Sequence, residues 1–180
     1  MILSREPTMK NSTALPATRV TLRILIVLNW LGGAAVLALL TSTIVAEKWT
    51  FTALGITPSS GIPAMIMGLR AIAALGLVAV PINDLILRRL LAIVDTVRAG
   101  DPFVAGNANR LQTIAWALLV LQLLSLLIGG IGKAISTPAN SLHLNAGFSA
   151  SGWLAVLLTF VLARVFSQAT MMRDDLEGTV

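Results

Sequence analysis

Cysteine is absent from the 180 residues of this chain, and charged residues make up only 12% of it. Without thiols the chain cannot form disulfides, thiolate metal sites or a cysteine nucleophile. The sole histidine, His143, cannot build a bis-histidine haem, and neither cysteine nor paired carboxylates lie near it in the sequence to complete a metal site. We therefore expect no metal and no cofactor. Soluble domains average about a quarter charged residues, so the composition also disfavours a soluble protein.

Charged residues are missing altogether from four apolar runs, which are residues 24–46, 71–83, 111–132 and 144–163. An α-helix needs about 20 apolar residues to cross a hydrocarbon core roughly 30 Å thick. Helices also satisfy their own backbone hydrogen bonds where no water is present. The runs predict an all-α integral membrane protein, built as a four-helix bundle with spans at about 22–46, 63–87, 110–132 and 146–166.

The second apolar run differs from the others because it has only 13 residues, between Arg70 and Asp84. The helical pattern of apolar residues continues beyond it, so one helix is predicted from Pro63 to Arg98. At 1.5 Å per residue this helix is roughly 54 Å long. It should therefore extend into the cytoplasm by several turns, where Asp84 can pair with Arg88 and Asp95 with Arg98.

The segment after this helix reads as a turn. Gly100 is a natural helix stop, and the sequence Asp-Pro-Phe at 101–103 redirects the chain. Asn107 or Asn109 is then predicted to cap helix three, which should begin near Arg110. Helix four is expected from about Ala146, led by small residues that allow close packing.

The basic residues are strongly biased toward one side of the predicted membrane. Ten precede the first apolar run, lie between the second and third runs, or follow the fourth: Arg5, Lys10, Arg19, Arg23, Arg88, Arg89, Arg98, Arg110, Arg164 and Arg173. Only Lys48 and Lys133 lie on the other two connections. Cytoplasmic loops carry the Lys/Arg excess, so both termini are predicted in the cytoplasm, as in a multi-pass protein of a bacterial inner membrane.

The basic residues set the orientation of the chain in the membrane and attract anionic lipid. We therefore expect no direct nucleic-acid binding. Residues 1–18 are predicted to form a mobile cytoplasmic tail, residues 19–168 the transmembrane domain, and residues 169–180 an acidic cytoplasmic tail.

Two charges at the ends of the second span have more than one interpretation. Arg70 is the only basic residue within a span, and a charge at membrane depth suggests function because its burial is costly. The simpler interpretation is that Arg70 reaches the outer interface, to meet Glu47 or lipid headgroups. Asp84 most simply pairs with Arg88 or Arg89, since a proton relay would require a second acid within the membrane.

No nucleophile and base are arranged for catalysis, so we do not expect an enzyme. Polar chemistry concentrates on the cytoplasmic surface, and a helix that overshoots the membrane exceeds what a connection requires, usually 2–8 residues. The polar residues on this surface are explained simply if they are solvated helix ends. The extension of helix two beyond the membrane is better explained by a face that binds a partner. The candidate partner-binding residues are Arg88, Arg89, Arg98, Asp101, Phe103, Asn107, Arg110, Arg173, Asp174, Asp175 and Glu177.

Two stretches of the second half resemble a known family. One is RAGDPF at 98–103, with NANRL at 107–111 and IAW at 114–116; the other is ARVF at 163–166 with MRDDLEGTV at 172–180. They are similar to the bacterial YoaS-like family, domain-of-unknown-function family 2975, over roughly residues 69–180. The resemblance implies a four-helix membrane protein with a Gly-x-Pro-Phe turn before helix three. Such proteins are commonly encoded beside a small Cro/CI-like helix-turn-helix regulator.

The resemblance thus implies a regulatory membrane protein that holds or releases a DNA-binding partner through its cytoplasmic face. Two other classes remain open from the residues. One is a small transporter or channel in which Arg70 faces a polar path. The other is an assembly subunit of a membrane complex, or a homo-oligomer, which the small residues at 32–34 would favour.

Overall fold

The computed structural model describes residues 14–45, 62–101, 103–136 and 146–177. These residues form four α-helices: α1 (Ala14–Val45), α2 (Ile62–Arg98), α3 (Ala105–Ile135) and α4 (Ala150–Glu177). All four are long and apolar enough to cross a membrane. The predicted all-helical fold with four candidate spans is confirmed.

The helices differ from the predicted bounds at their ends. α2 covers the predicted range as one helix of 37 residues that continues through Pro81. α1 begins at Ala14, so residues 14–18 of the predicted tail are helical. α4 continues to Glu177, so most of the predicted acidic tail is the end of a helix. Residues 1–13 lie outside the described residues.

Gly100 ends α2, as predicted, through a Schellman motif. Its φ is +85°, a conformation that glycine adopts without steric cost. The Gly100 N–H donates to the Val97 carbonyl at 3.1 Å, and the Asp101 N–H donates to the Thr96 carbonyl at 3.2 Å. Two carbonyls at the helix end are therefore satisfied, and the chain leaves α2 in a fixed direction.

α3 begins five residues before the predicted start. Its N-cap is Val104, which makes no side-chain capping bond. The prediction that Asn107 or Asn109 caps this helix is therefore wrong. Asn107 lies inside the first turn of α3, where its amide is bonded to α2 instead.

α4 starts later than predicted, at Ala150, because Ser149 caps it. The Ser149 hydroxyl accepts the Gly152 N–H at 3.2 Å, the usual N-cap geometry. Gly147 has a φ of +132°, which prevents the helix from extending back to Ala146. The small residues at the predicted start therefore form a non-helical entry segment, residues 146–149.

Among the described residues, only consecutive helices are in contact: α1 with α2, α2 with α3, and α3 with α4. The prediction was a four-helix bundle, and in the described residues the helices form an open row in which α1 and α4 do not touch. Closure would bury apolar surface from water, but lipid covers such a surface equally well. Ile24, Val27, Leu28, Trp30 and Leu31 of α1 are each more than half exposed, as expected for a lipid-covered helix.

A cluster of buried apolar residues joins α2 and α3. Ile86, Ile114 and Ala117 form the buried centre of this cluster. Five partly buried apolar residues pack around it: Ile82, Leu90, Ile93, Leu118 and Leu121. Much of this cluster lies beyond Asp84, so α2 and α3 remain packed where α2 overshoots its apolar run.

We expect Gly33→Ala to destabilise the α1–α2 contact. A Cβ at Gly33 would lie 2.9 Å from Cγ2 of Val80, and a β-branched valine has little rotameric freedom to yield. Overpacking of this kind costs about 1–2 kcal/mol. Thermal unfolding in mild detergent measures the effect. Gly32→Ala is the matched control, because nothing lies within 4 Å of its Cβ, and equal behaviour of the two variants would contradict the packing described.

Candidate functional site

Most of the predicted site residues lie at the end of the helix row that carries the α2–α3 turn. We call this region, residues 14–23, 84–101, 103–110 and 164–177, the turn end. The charged residues that interrupt the apolar runs place it outside the apolar part of each helix. The side chains here connect all four helices in sequence, from α1 to α4.

The α2–α3 turn is tied to α4 by one ion pair and one aromatic contact. Arg173 Nη1 donates to Asp101 Oδ1 at 2.5 Å. The rings of Phe103 and Phe166 are 5.5 Å apart, tilted by 36°. Three predicted site residues, Asp101, Phe103 and Arg173, are therefore brought together. The contacts fix the last turns of α4 beside the turn.

Asn107 joins α2 to α3 and is fully buried. Its Nδ2 donates to the Thr96 hydroxyl at 2.7 Å, and its Oδ1 accepts from Arg110 Nη1 at 2.7 Å. Arg110 Nη1 also lies 3.4 Å from the Ala92 carbonyl oxygen on α2. The predicted residues Asn107 and Arg110 thus form one network whose α2 members, Thr96 and Ala92, the sequence did not reveal.

α1 reaches the turn end through an unexpected ion pair. Asp95 Oδ1 lies 3.3 Å from Arg19 Nε, with both side chains partly exposed. The predicted pairing of Asp95 with Arg98 is wrong, because Asp95 is engaged with α1. An exposed pair of this kind contributes about 0.2–1 kcal/mol, so its main consequence is orientation of α1.

Asp84 pairs with Arg88, as predicted. Arg88 Nε lies 2.6 Å from Asp84 Oδ2, and Trp30 Nε1 donates to Asp84 Oδ1 at 3.1 Å. One turn away, Asn29 Nδ2 donates to the Val80 carbonyl at 3.0 Å. Asp84 therefore also links α2 to Trp30 of α1, and Asn29 adds a second hydrogen bond between the two helices. The sequence analysis did not predict either role.

The remaining predicted site residues are spread over the surface of the turn end. Arg89 and Arg98 are exposed on α2, and Arg98 lies in its last turn, where a cation interacts favourably with the helix dipole. Asp174, Asp175 and Glu177 lie at the end of α4, and Asp175 is exposed. Met171 and Met172, just before them, are 53% and 68% exposed.

A cavity of about 220 Å³ opens between α3 and α4 at the turn end. Its lining is partly polar: Asn109, Gln112, Arg164 and Ser167 line it together with Phe160. This lining offers hydrogen bonds and a positive charge but no acid–base pair. Within the described ranges, no three His, Asp or Glu residues cluster to hold a metal ion; His143 lies outside those ranges.

At the end of the helix row opposite the turn end, which we call the far end, polar side chains of α3 hold the entry segment of α4. Ser125 Oγ accepts the Gly147 N–H at 3.2 Å and lies 3.3 Å from the Gly147 carbonyl. Gln122 Nε2 donates to the Ser149 carbonyl at 3.2 Å. These bonds satisfy non-helical backbone next to a span, as a membrane requires. They position α4, and with it the acids at its other end.

Four apolar helices joined by polar ties at their ends define a multi-pass membrane protein. A family model described as "Protein of unknown function (DUF2975)" matches residues 85–180, more than half of the chain. The chain belongs to this family, as its motifs indicated. No curated protein and no solved structure matches it.

Proposed function

We propose that this protein is a regulatory protein of the bacterial inner membrane, with both termini in the cytoplasm, and that its turn end binds a small basic DNA-binding protein. The single observation that carries the proposal is the fixed position of α4 beyond its apolar run. The Arg173–Asp101 pair and the Phe103–Phe166 contact hold that helix end beside the α2–α3 turn. A mere anchor needs no such attachment.

The chemistry of this helix end suits a basic partner. Its last turn carries Asp174, Asp175 and Glu177, whereas exposed Met171 and Met172 lie one turn before. Methionine adapts to varied apolar surfaces and is common at binding faces. Acids beside adaptable apolar side chains would meet the basic face of a helix-turn-helix protein and compete there with DNA phosphate.

The orientation follows from the charge bias, because ten of the basic residues accompany the turn end and the terminal segments. This bias supports a cytoplasmic turn end, where a transcription regulator would be found. Family resemblance adds the class of partner, a small Cro/CI-like regulator.

We expect the triple variant D174N/D175N/E177Q to weaken capture of such a regulator about tenfold, which corresponds to ~1.4 kcal/mol. The replacements keep side-chain size and remove charge, so the loss reports electrostatic complementarity. Full-length protein in mild detergent, immobilised and exposed to host cytosol, provides the measurement. Capture should also weaken as salt is raised, and duplex DNA carrying the regulator's binding sequence should compete.

Asp84→Asn is the matched control, because it removes an acid from the same end of the row without touching α4. It should leave capture unchanged. Recovery of no helix-turn-helix protein, or equal recovery with the triple variant, would contradict the proposal.

An assembly subunit is the second candidate, and the open row favours it. Among the described helices, α1 and α4 each pack against one neighbour only, which leaves their outer faces available to other membrane proteins. The same row encloses no path between its described helices, so a transporter or channel has less support. Co-purification of a membrane partner in mild detergent, with no cytosolic protein, would favour the subunit.

A further inference from the structure

Arg70 and Arg164 each line a cavity, but they differ in whether the guanidinium is engaged. Arg70 lies beside an apolar groove at the far end, and its Nη2 donates to the Thr43 carbonyl of α1. Its predicted partner Glu47 lies outside the described residues. Arg164 lines the cavity of about 220 Å³ at the turn end and is exposed. Within the described ranges it makes no ion pair and no hydrogen bond, so its guanidinium is available to a ligand.

The cavity lies where α3 and α4 pass from apolar to polar sequence. The fourth apolar run ends at the lining residue Ala163, and the third run begins one residue before the lining residue Gln112. On the apolar side the ring of Phe160 packs edge-on against Trp116, with the ring centroids 5.3 Å apart. Tryptophan is enriched at the level of the lipid headgroups. Both observations put the cavity at the depth of the headgroup phosphates.

The polar lining offers hydrogen-bond donors from both helices. Asn109 and Gln112 come from α3, and Arg164 and Ser167 come from α4. In the described part of the chain, none of these four side chains is hydrogen-bonded to another residue. The described lining residues include no Asp or Glu that would repel an anion. Guanidinium groups bind phosphate through two parallel hydrogen bonds, so a phosphate group suits the charge and the donors of this cavity.

The surface of α4 beside the cavity is suited to acyl chains. Val161 and Leu157 lie about one and two turns before Arg164 on the same side of the helix, and they are 60% and 61% exposed. A ligand with a phosphate at Arg164 can therefore continue along an apolar helix face toward the far end. This combination favours a phospholipid over a soluble phosphate, and basic pockets between membrane helices are known to bind acidic headgroups.

We propose that this cavity binds the headgroup of one anionic phospholipid, with the phosphate at Arg164 and Gln112 and the acyl chains along α4. The bound lipid would contact α3 and α4 at once and fasten the two helices at the turn end. The inference is independent of the proposed regulatory function, because it holds for either orientation of the chain and uses none of the acids at the end of α4.

The test compares phosphatidylglycerol with phosphatidylcholine of identical acyl chains, each added to the delipidated full-length protein in an uncharged detergent. Native mass spectrometry counts the bound lipids, and the shift in apparent Tm reports stabilisation. We expect phosphatidylglycerol to bind about fivefold more tightly, a preference of the size that one basic residue provides. Arg164→Gln should remove the preference. Arg164→Lys should retain part of it, because lysine keeps the charge but not the paired N–H groups.

Arg23→Gln is the matched control. Arg23 is exposed and borders the first apolar run at the same end of the row, but it lies on α1, which contacts neither α3 nor α4. This variant should keep the preference. Gln112→Leu should weaken binding of phosphatidylglycerol about threefold, the effect of one lost hydrogen bond, while Arg164 remains in place. It therefore tests the cavity even if Arg164→Gln fails to fold.

Inorganic phosphate without lipid distinguishes the two sources of the same chemistry. It should shift the apparent Tm less than phosphatidylglycerol does, because it cannot use the apolar face of α4. An equal or larger shift would assign the cavity to a soluble phosphate and overturn the lipid. Equal binding of the two lipids by the native protein, equal loss of preference in the Arg23 variant, or unchanged binding by Gln112→Leu would also overturn the proposal.

Discussion

Asn107→Leu is expected to lower the free energy of unfolding by about 3 kcal/mol. The side chain of Asn107 is fully buried and donates to Thr96 while it accepts from Arg110. Leucine fills a similar volume but supplies neither bond. The partly buried Arg110 guanidinium and Thr96 hydroxyl would each lose a partner, and partners lost from one network cost more than isolated bonds.

Thermal unfolding of the purified protein in one detergent measures this loss as a fall in apparent Tm. Asn109→Ala is the matched control, because Asn109 lies two residues away on the same helix and is exposed. It should change stability by less than about 0.5 kcal/mol. Combined with Thr96→Val, the Asn107 substitution should be clearly non-additive. Additive effects would show that the two side chains do not act together.

Gly129→Ala, which adds one methyl group, is expected to lower the stability of the far half of the row more than a methyl group at any other glycine there. A Cβ at Gly129 would lie 2.7 Å from both the Ala146 carbonyl oxygen and the Gly147 Cα. Both are backbone atoms, so no side-chain rotation relieves the clash. The entry segment must move away from α3, and its bonds to Ser125 and Gln122 would lengthen or break. We expect a loss of about 2–3 kcal/mol.

The neighbouring glycine provides the control within the same helix. Nothing lies within 4 Å of a Cβ at Gly130, so Gly130→Ala should be neutral or stabilising by up to about 1 kcal/mol, the gain in helix propensity. The two variants carry identical chemistry at adjacent positions. Apparent Tm values that fall equally, or that fall only for Gly130→Ala, would contradict the α3–α4 contact.

Sequence alone predicted the elements better than their arrangement, for physical reasons. The spans could be predicted because the bilayer interior requires long helices without charged residues. The end of α2 could be predicted because glycine readily adopts the positive φ that Gly100 has there. Residues near a helix start are harder. Asn107 has the chemistry of a cap, and its actual partner Thr96 lies across the turn, so only the tertiary contact assigns its role.

The order of the helices in the row could not be predicted either. An apolar helix surface packs against lipid or against another helix with similar energy. Small residues such as Gly33 mark a side of the run at 24–46 where a helix can approach, but they do not say that the neighbour is α2. The same limit applies to the ion pairs. Asp95 has a basic residue three positions later, but the actual partner is Arg19 on another helix.

The open row has a consequence for biosynthesis. Every contact between the described helices joins segments that are consecutive in the chain, so α1 and α2 can associate before α3 leaves the ribosome, and α3 before α4. Loop closure is then needed only between neighbours, which favours rapid folding. Each new helix meets a complete binding surface as it enters the bilayer, and assembly can keep pace with translation from the N-terminus to the last turn of α4.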